Sequence, residues 1–119
     1  MTYKFEKLEV WKLALELNKK IYEITELLPE EEKFNLSSQI KRASTSTALN
    51  IAEGSTGQTD SQQVRFLSYA IRSHIETIAC IRIITDRGYL DKSDERLEDF
   101  ELLASEFFGK LQAFKKSLI

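Results

Sequence analysis

The sequence predicts an all-α protein: an antiparallel up-and-down four-helix bundle assembled as a homo-oligomer. Three observations lead there. Apolar residues recur at intervals of three and four in four separate stretches, the spacing of one face of an α-helix. Helix breakers are scarce, with four Gly and one Pro in 119 residues, so the helices are long. Short polar links separate the periodic stretches, so that each helix turns back on the one before it. A chain of this length makes one domain, residues 1–119, with a core that needs neither disulfide nor metal.

The first helix runs from about Lys7 to Leu28 and is closed by Pro29, which cannot continue a helical ladder. Val10, Ala14, Leu17, Ile21, Ile24 and Leu28 form its core stripe, while Glu9, Lys12, Glu16, Lys19 and Glu23 face water. A charged link, Pro29 to Lys33, leads to a second helix from Asn35 to Gly54. The flexible loop Gly54–Thr59 follows. Asp60 caps a third helix, with Gln63 placed for the return bond of a capping box. That helix ends near Arg87 and Gly88, glycine being a natural C-terminal stop. Ser93 caps the fourth helix, where Asp94, Glu95, Glu98 and Asp99 suit the positive end of the dipole and Lys110, Lys115 and Lys116 the negative end.

The second helix is the unusual one. Leu36, Ile40, Ala43, Thr47 and Ile51 give it one modest apolar face. Beside that face runs a ridge of hydrogen-bonding groups: Gln39, Arg42, Ser46, Asn50 and Glu53. A helix with so little bulk packs close to its neighbours, and its ridge needs partners wherever it is covered. Gln39, Ser46, Asn50 and Glu53 are therefore expected to be structural.

The other stripes bear on assembly. The fourth helix has a narrow seam: Phe100, Leu103, Phe107, Leu111, Phe114 and Leu118. In the third, Val64, Leu67, Ile71, Ile75 and Ile78 face one way, and Phe66, Tyr69, Cys80 and Ile84 another. The first carries a second line, Trp11, Leu15 and Tyr22. A wide core with partly exposed aromatics would explain these lines. A homo-oligomer burying Trp11, Leu15, Tyr22, Phe66 and Tyr69 between subunits explains them better.

Signs of catalysis are missing. The one histidine, His74, is not at the spacing from Glu76 that puts a metal-binding pair on one helix face, and it reads as a packed, hydrogen-bonded core-edge residue. No phosphate-binding glycine loop and no nucleophile motif is present. The single Cys80 rules out an intrachain disulfide and a cysteine-based zinc site and reads as a small hydrophobe. No enzyme activity, metal, cofactor or small-molecule substrate is expected. With no apolar run of membrane-spanning length and no signal peptide, the protein reads as cytoplasmic, without a membrane partner.

The formal net charge of −2 supplies no global attraction for nucleic acid, so any such contact is local. Arg42 or Arg72 can be neutralised by Glu53 or Glu76, within or between subunits. Lys12, Lys19, Lys20 and Lys41 are freer to meet phosphate, and with Arg42 they are the candidate nucleic-acid contacts.

In order along the chain stand Glu9-Val10-Trp11-Lys12, Gln39-Ile40-Lys41-Arg42-Ala43, Asn50-Ile51-Ala52-Glu53-Gly54, Arg65-Phe66-Leu67 and Gly88-Tyr89-Leu90. This series closely resembles the bacterial four-helix-bundle family of 23S rRNA intervening-sequence proteins over nearly the whole chain. It is similar too to the accessory variability protein of diversity-generating retroelements, a basic pentameric barrel that binds nucleic acid and a reverse transcriptase. The resemblance implies a non-enzymatic homo-oligomer, a pentamer by preference, with RNA or a ribonucleoprotein as partner. A protein-interaction scaffold that binds no nucleic acid is the alternative. The chain departs from the family in its neutral Ser55–Thr59 loop and in Arg72, where a small residue is usual.

Overall fold

A computed structural model describes residues 1–57 and 59–119; Gln58, within the expected Gly54–Thr59 loop, lies outside the described residues. The described residues form four α-helices and no strand: α1 (Glu9–Thr25), α2 (Leu36–Gly54), α3 (Asp60–Asp86) and α4 (Glu95–Ser117), with short 3-10 turns at Lys4–Lys7 and Glu30–Glu32. Each helix packs on the next and α4 closes on α1, in a body of 44 × 25 × 25 Å.

Helix ends follow local hydrogen bonding and correct the expected caps. α1 is shorter than predicted at both ends. Lys7 belongs to the preceding turn, and beyond Thr25 the backbone tightens into bonds such as Leu28 N–H to Thr25 O at 3.1 Å. Thr59, not Asp60, caps α3: its hydroxyl accepts from the Gln62 amide at 3.2 Å, while Gln62 Oε1 accepts from the Thr59 amide at 3.3 Å. Thr-x-x-Gln outcompetes Asp-x-x-Gln here because Gln63 is buried and donates instead to Ser55 Oγ at 3.1 Å. Asp94, not Ser93, caps α4, accepting from the Arg96 amide at 2.9 Å, because Ser93 is held by Asp91. Gly88, at φ +80°, reverses the chain after α3, and the Tyr89 amide reaches back to Ile84 O at 3.2 Å.

Ile21, Ile24, Ile40, Ile51, Leu67, Ile81, Ile84, Phe100, Phe107 and Leu111 are sealed in the core. The expected face of α2, Leu36 to Ile51, is buried throughout. On α3 the expected faces are corrected. Ile75 is 53% exposed and Val64 and Ile78 are half-buried, whereas Cys80 and Ile84 lie inside. A line stepped only by fours, such as Leu67, Ile71, Ile75, drifts about 40° per step around a helix. Over the 27 residues of α3 the buried line must alternate threes and fours, through Leu67, Ala70, His74, Thr77, Ile81 and Ile84. On α4, Leu97 and Ala104 complete the buried seam, and Leu103, Phe114 and Leu118 are half-buried.

α2 and α3 make the most extensive helix contact. The small residues of α2 allow it. A methyl group at Gly54 would stand 3.0 Å from Phe66 Cβ, so glycine sets the approach of the two helices there.

Candidate nucleic-acid and assembly surface

The outer side of α1 and α2 gathers most of the residues singled out by sequence. On α1, Lys12, Leu15, Lys19 and Tyr22 recur at steps of three and four and are all exposed. On α2, Arg42, Thr45, Leu49 and Glu53 form the outward line. Between them lies a shallow groove of about 370 Å³ lined by Tyr22, Lys41, Arg42, Thr45, Ser46, Leu49, Asn50 and Glu53. Lys41 Nζ stands 4.9 Å from the centre of the Tyr22 ring, a cation over a π face. Lys20, half-buried and one position on from Lys19, lies about 100° round α1 and outside this stripe.

The polar ridge divides. Ser46 Oγ lies 3.0 Å from Ser73 Oγ, bridging α2 to α3. Asn50 donates to Ser46 O at 2.9 Å and to its hydroxyl at 3.2 Å, which fixes the bridge from below. Gln39 and Glu53 are exposed: Gln39 reaches only Asn35, at 3.2 Å, and Glu53 makes no ion pair among the described residues. Their expected structural role is not seen within the protomer, and neither is any pairing of Arg42 or Arg72 with Glu53 or Glu76. α1 is tied to α2 by a residue the sequence did not single out: Asn18 Nδ2 donates to Ser44 Oγ at 3.2 Å.

Among the expected interface residues, Leu15, Tyr22 and Tyr69 are exposed. Phe66 is half-buried, its ring edge-on to Tyr69 with centroids 5.9 Å apart. Trp11 is half-buried and already occupied, its ring edge-on to Phe5 at 4.7 Å. Leu49 is 52% exposed at the centre of the outward line of α2 and was missed. Its offset from the Ile40–Thr47–Ile51 stripe is the signal that would have found it.

Among the described residues, the one well-satisfied buried charge lies elsewhere. Glu32 accepts from Arg87 at 3.0 Å, Tyr89 at 2.9 Å and Asn35 at 2.9 Å. The Tyr89 hydroxyl, foremost, holds its carboxyl below the usual range, and Glu32 in turn pushes the phenol up.

His74 is buried between Phe107 and Phe108, at centroid distances of 5.0 and 6.0 Å. It is packed as expected, against two aromatic rings. Burial lowers its pKa to about 4, so the ring is neutral. Burial pushes the Cys80 thiol up, which disfavours the reactive thiolate. No group of His, Cys, Asp or Glu among the described residues could hold a metal ion, and no described helix is long and apolar enough to cross a membrane.

Fold and surface together define a small all-helical protein whose distinctive feature is an outward face of cations, aromatics and hydrogen-bonding groups. The chain belongs to the 23S rRNA-intervening sequence protein family, whose model matches residues 6–113. It is similar to a solved structure of a protein of unknown function from the S23 ribosomal protein family of Bacteroides thetaiotaomicron. The two are 25% identical, with a TM-score of 0.79 over 90% of this chain and 98% of that one. No curated protein matches the chain.

Proposed function

We propose that this protein is a non-enzymatic RNA-binding bundle that self-associates through α2 and α3 and meets RNA on the α1–α2 side. The single observation that carries the reading is the groove in which Lys41 stands over Tyr22 beside Arg42, Ser46 and Asn50. Cations flanking an aromatic ring along a polar ridge suit a phosphate backbone and its bases. Lys12 and Lys19 extend the cationic line along α1, and Lys20 stands at its margin. The expected burial of Tyr22 between subunits fits poorly with this geometry, since it would strip the Lys41 ammonium of water without supplying a counter-charge. Self-association is better served by Phe66 and Tyr69 on α3. Net charge of −2 keeps RNA affinity modest, and an oligomer repeating the groove raises it by avidity.

A second reading, a scaffold for a partner protein without nucleic acid, is favoured by the exposure of Leu15 and Leu49 and by Glu53 at the groove's edge. Filter binding of total RNA at low salt separates the two. Retention that falls steeply as salt rises supports RNA binding, and no retention supports the scaffold.

A further inference from the structure

At the far end of α2 lies a second, larger hollow of about 700 Å³, lined by Tyr3, Lys4, Phe5, Ala52, Glu53, Ser55, Thr56 and Gly57. The N-terminal turn forms one wall. Tyr3 and Phe5 lie nearly parallel, at 15° and 6.1 Å between centroids, with Tyr3 60% exposed. Such a face can take the flat ring of a base by stacking. Glu53, exposed and without an ion pair among the described residues, stands at the rim. Ser55 is buried; its oxygen accepts from Gln63 at 3.1 Å, while its own O–H has no protein acceptor among the described residues. Lys4 supplies one cation.

We propose that this cleft takes a guanine nucleotide of single-stranded RNA; the inference rests on the RNA-binding reading for its source. The chemistry uses Glu53, Ser55, Tyr3 and Lys4 of the cleft. A carboxylate accepts side by side from the N1–H and N2–H donors of guanine, a two-point match that uracil and adenine do not offer. The Ser55 hydroxyl is free to donate to an acceptor such as guanine O6. The Tyr3 ring takes the base face, and Lys4 a phosphate. An arginine or lysine side chain would suit Glu53 and the rings but would be opposed by Lys4, whereas a nucleotide carries both the donor edge and the anion. Glu53 borders both this cleft and the groove of Lys41 and Arg42. From Arg42 to Glu53 the helix rises about 16 Å, so one strand laid along α2 reaches from the groove to the cleft.

Trp11, the chain's single tryptophan, packs edge-on against Phe5 and reports on the cleft by its fluorescence. The experiment titrates the full-length protein with two short oligouridylates, one carrying a single internal guanosine, and separately with guanosine monophosphate. The guanosine RNA should bind about tenfold more tightly, the scale of one two-point base contact. Glu53→Gln should remove that preference while binding the plain oligouridylate at least as well, since it deletes a negative charge. Tyr3→Ala should weaken both RNAs, and circular dichroism should show both variants folded. Equal affinity of the unmodified protein for the two RNAs, or a preference that survives Glu53→Gln, overturns the cleft and leaves RNA binding standing. Failure of both RNAs to bind at low salt overturns the RNA reading instead. Guanosine monophosphate then decides the cleft alone: a Trp11 response lost in Glu53→Gln upholds it, and no response overturns it.

Discussion

The ammonium of Lys41 on α2 stands 4.9 Å over the ring of Tyr22 on α1, so whatever covers one covers the other. The pair is worth about 0.5–1 kcal/mol at an exposed site, too little to explain the fold. Its importance is geometric: it joins a cation and an aromatic ring into a single surface on the α1–α2 side.

The α2–α3 side should mediate self-association. Light scattering at micromolar concentration should give a multiple of the protomer mass, and Tyr69→Ser, at an exposed position of α3, should reduce it without loss of helix. A protomer mass for the unmodified chain would contradict this division of the surface.

Packing between α2 and α3 sets the cost of small changes. Gly54→Ala should destabilise by about 1–3 kcal/mol, because the new methyl meets Phe66 Cβ at 3.0 Å and that atom, fixed to the α3 backbone, must give by a few tenths of an ångström. Asn50→Ala should cost about 0.5–1.5 kcal/mol, since its bonds to Ser46 are half-buried and local. Glu53→Ala, on an exposed residue, should stay within about 0.5 kcal/mol. Urea denaturation of the three variants gives the order directly.

Legibility of the chain follows the range of the interactions. The four helices and the buried face of α2 are readable because they rest on local periodicity, on Pro29 and on Gly54 and Gly88. The stripe of α3 is not, since a line stepped by fours drifts about 40° per step, which over a long helix exchanges Ile75 for Cys80. Caps misread by one residue, at Thr59 and Asp94, turn on competition between adjacent polar side chains. Glu32 sits in a run of acids that reads as solvated, and its burial depends on Arg87 and Tyr89, more than fifty residues away. On the surface, Lys12, Lys19 and Tyr22 share a stripe that spacing alone predicts. The meeting of Lys41 with Tyr22, and of Tyr3 with Glu53, requires the tertiary fold.

Stability should depend on pH through His74. Its folded pKa, about 4, lies below the ordinary histidine value of 6.5. Between those values the unfolded chain binds a proton that the folded one refuses, so stability falls as pH drops from about 6.5 to 4 and then levels off. The contribution is about 3 kcal/mol. Urea melts at pH 7 and pH 4 should show it, and His74→Phe should remove this part of the difference.

A second pH effect belongs to Glu32, whose folded pKa is depressed. Its contribution is present above the ordinary carboxylate range and is lost as pH falls through the folded value. Glu32→Gln and Tyr89→Phe should each lower Tm at pH 7, and the gap from the unmodified protein should narrow in acid. A gap independent of pH would show that packing, not the charge, is at stake.

RNA contact through the Lys41–Tyr22 groove is tested most directly by the salt dependence of binding. The unmodified protein and the double variant Lys41→Ala with Arg42→Ala are titrated with one single-stranded RNA across a salt series. The double variant should bind more weakly and flatten the logarithmic slope by about 0.7 for each phosphate contact removed, with helix content unchanged. Identical slopes and affinities for the two proteins would contradict it.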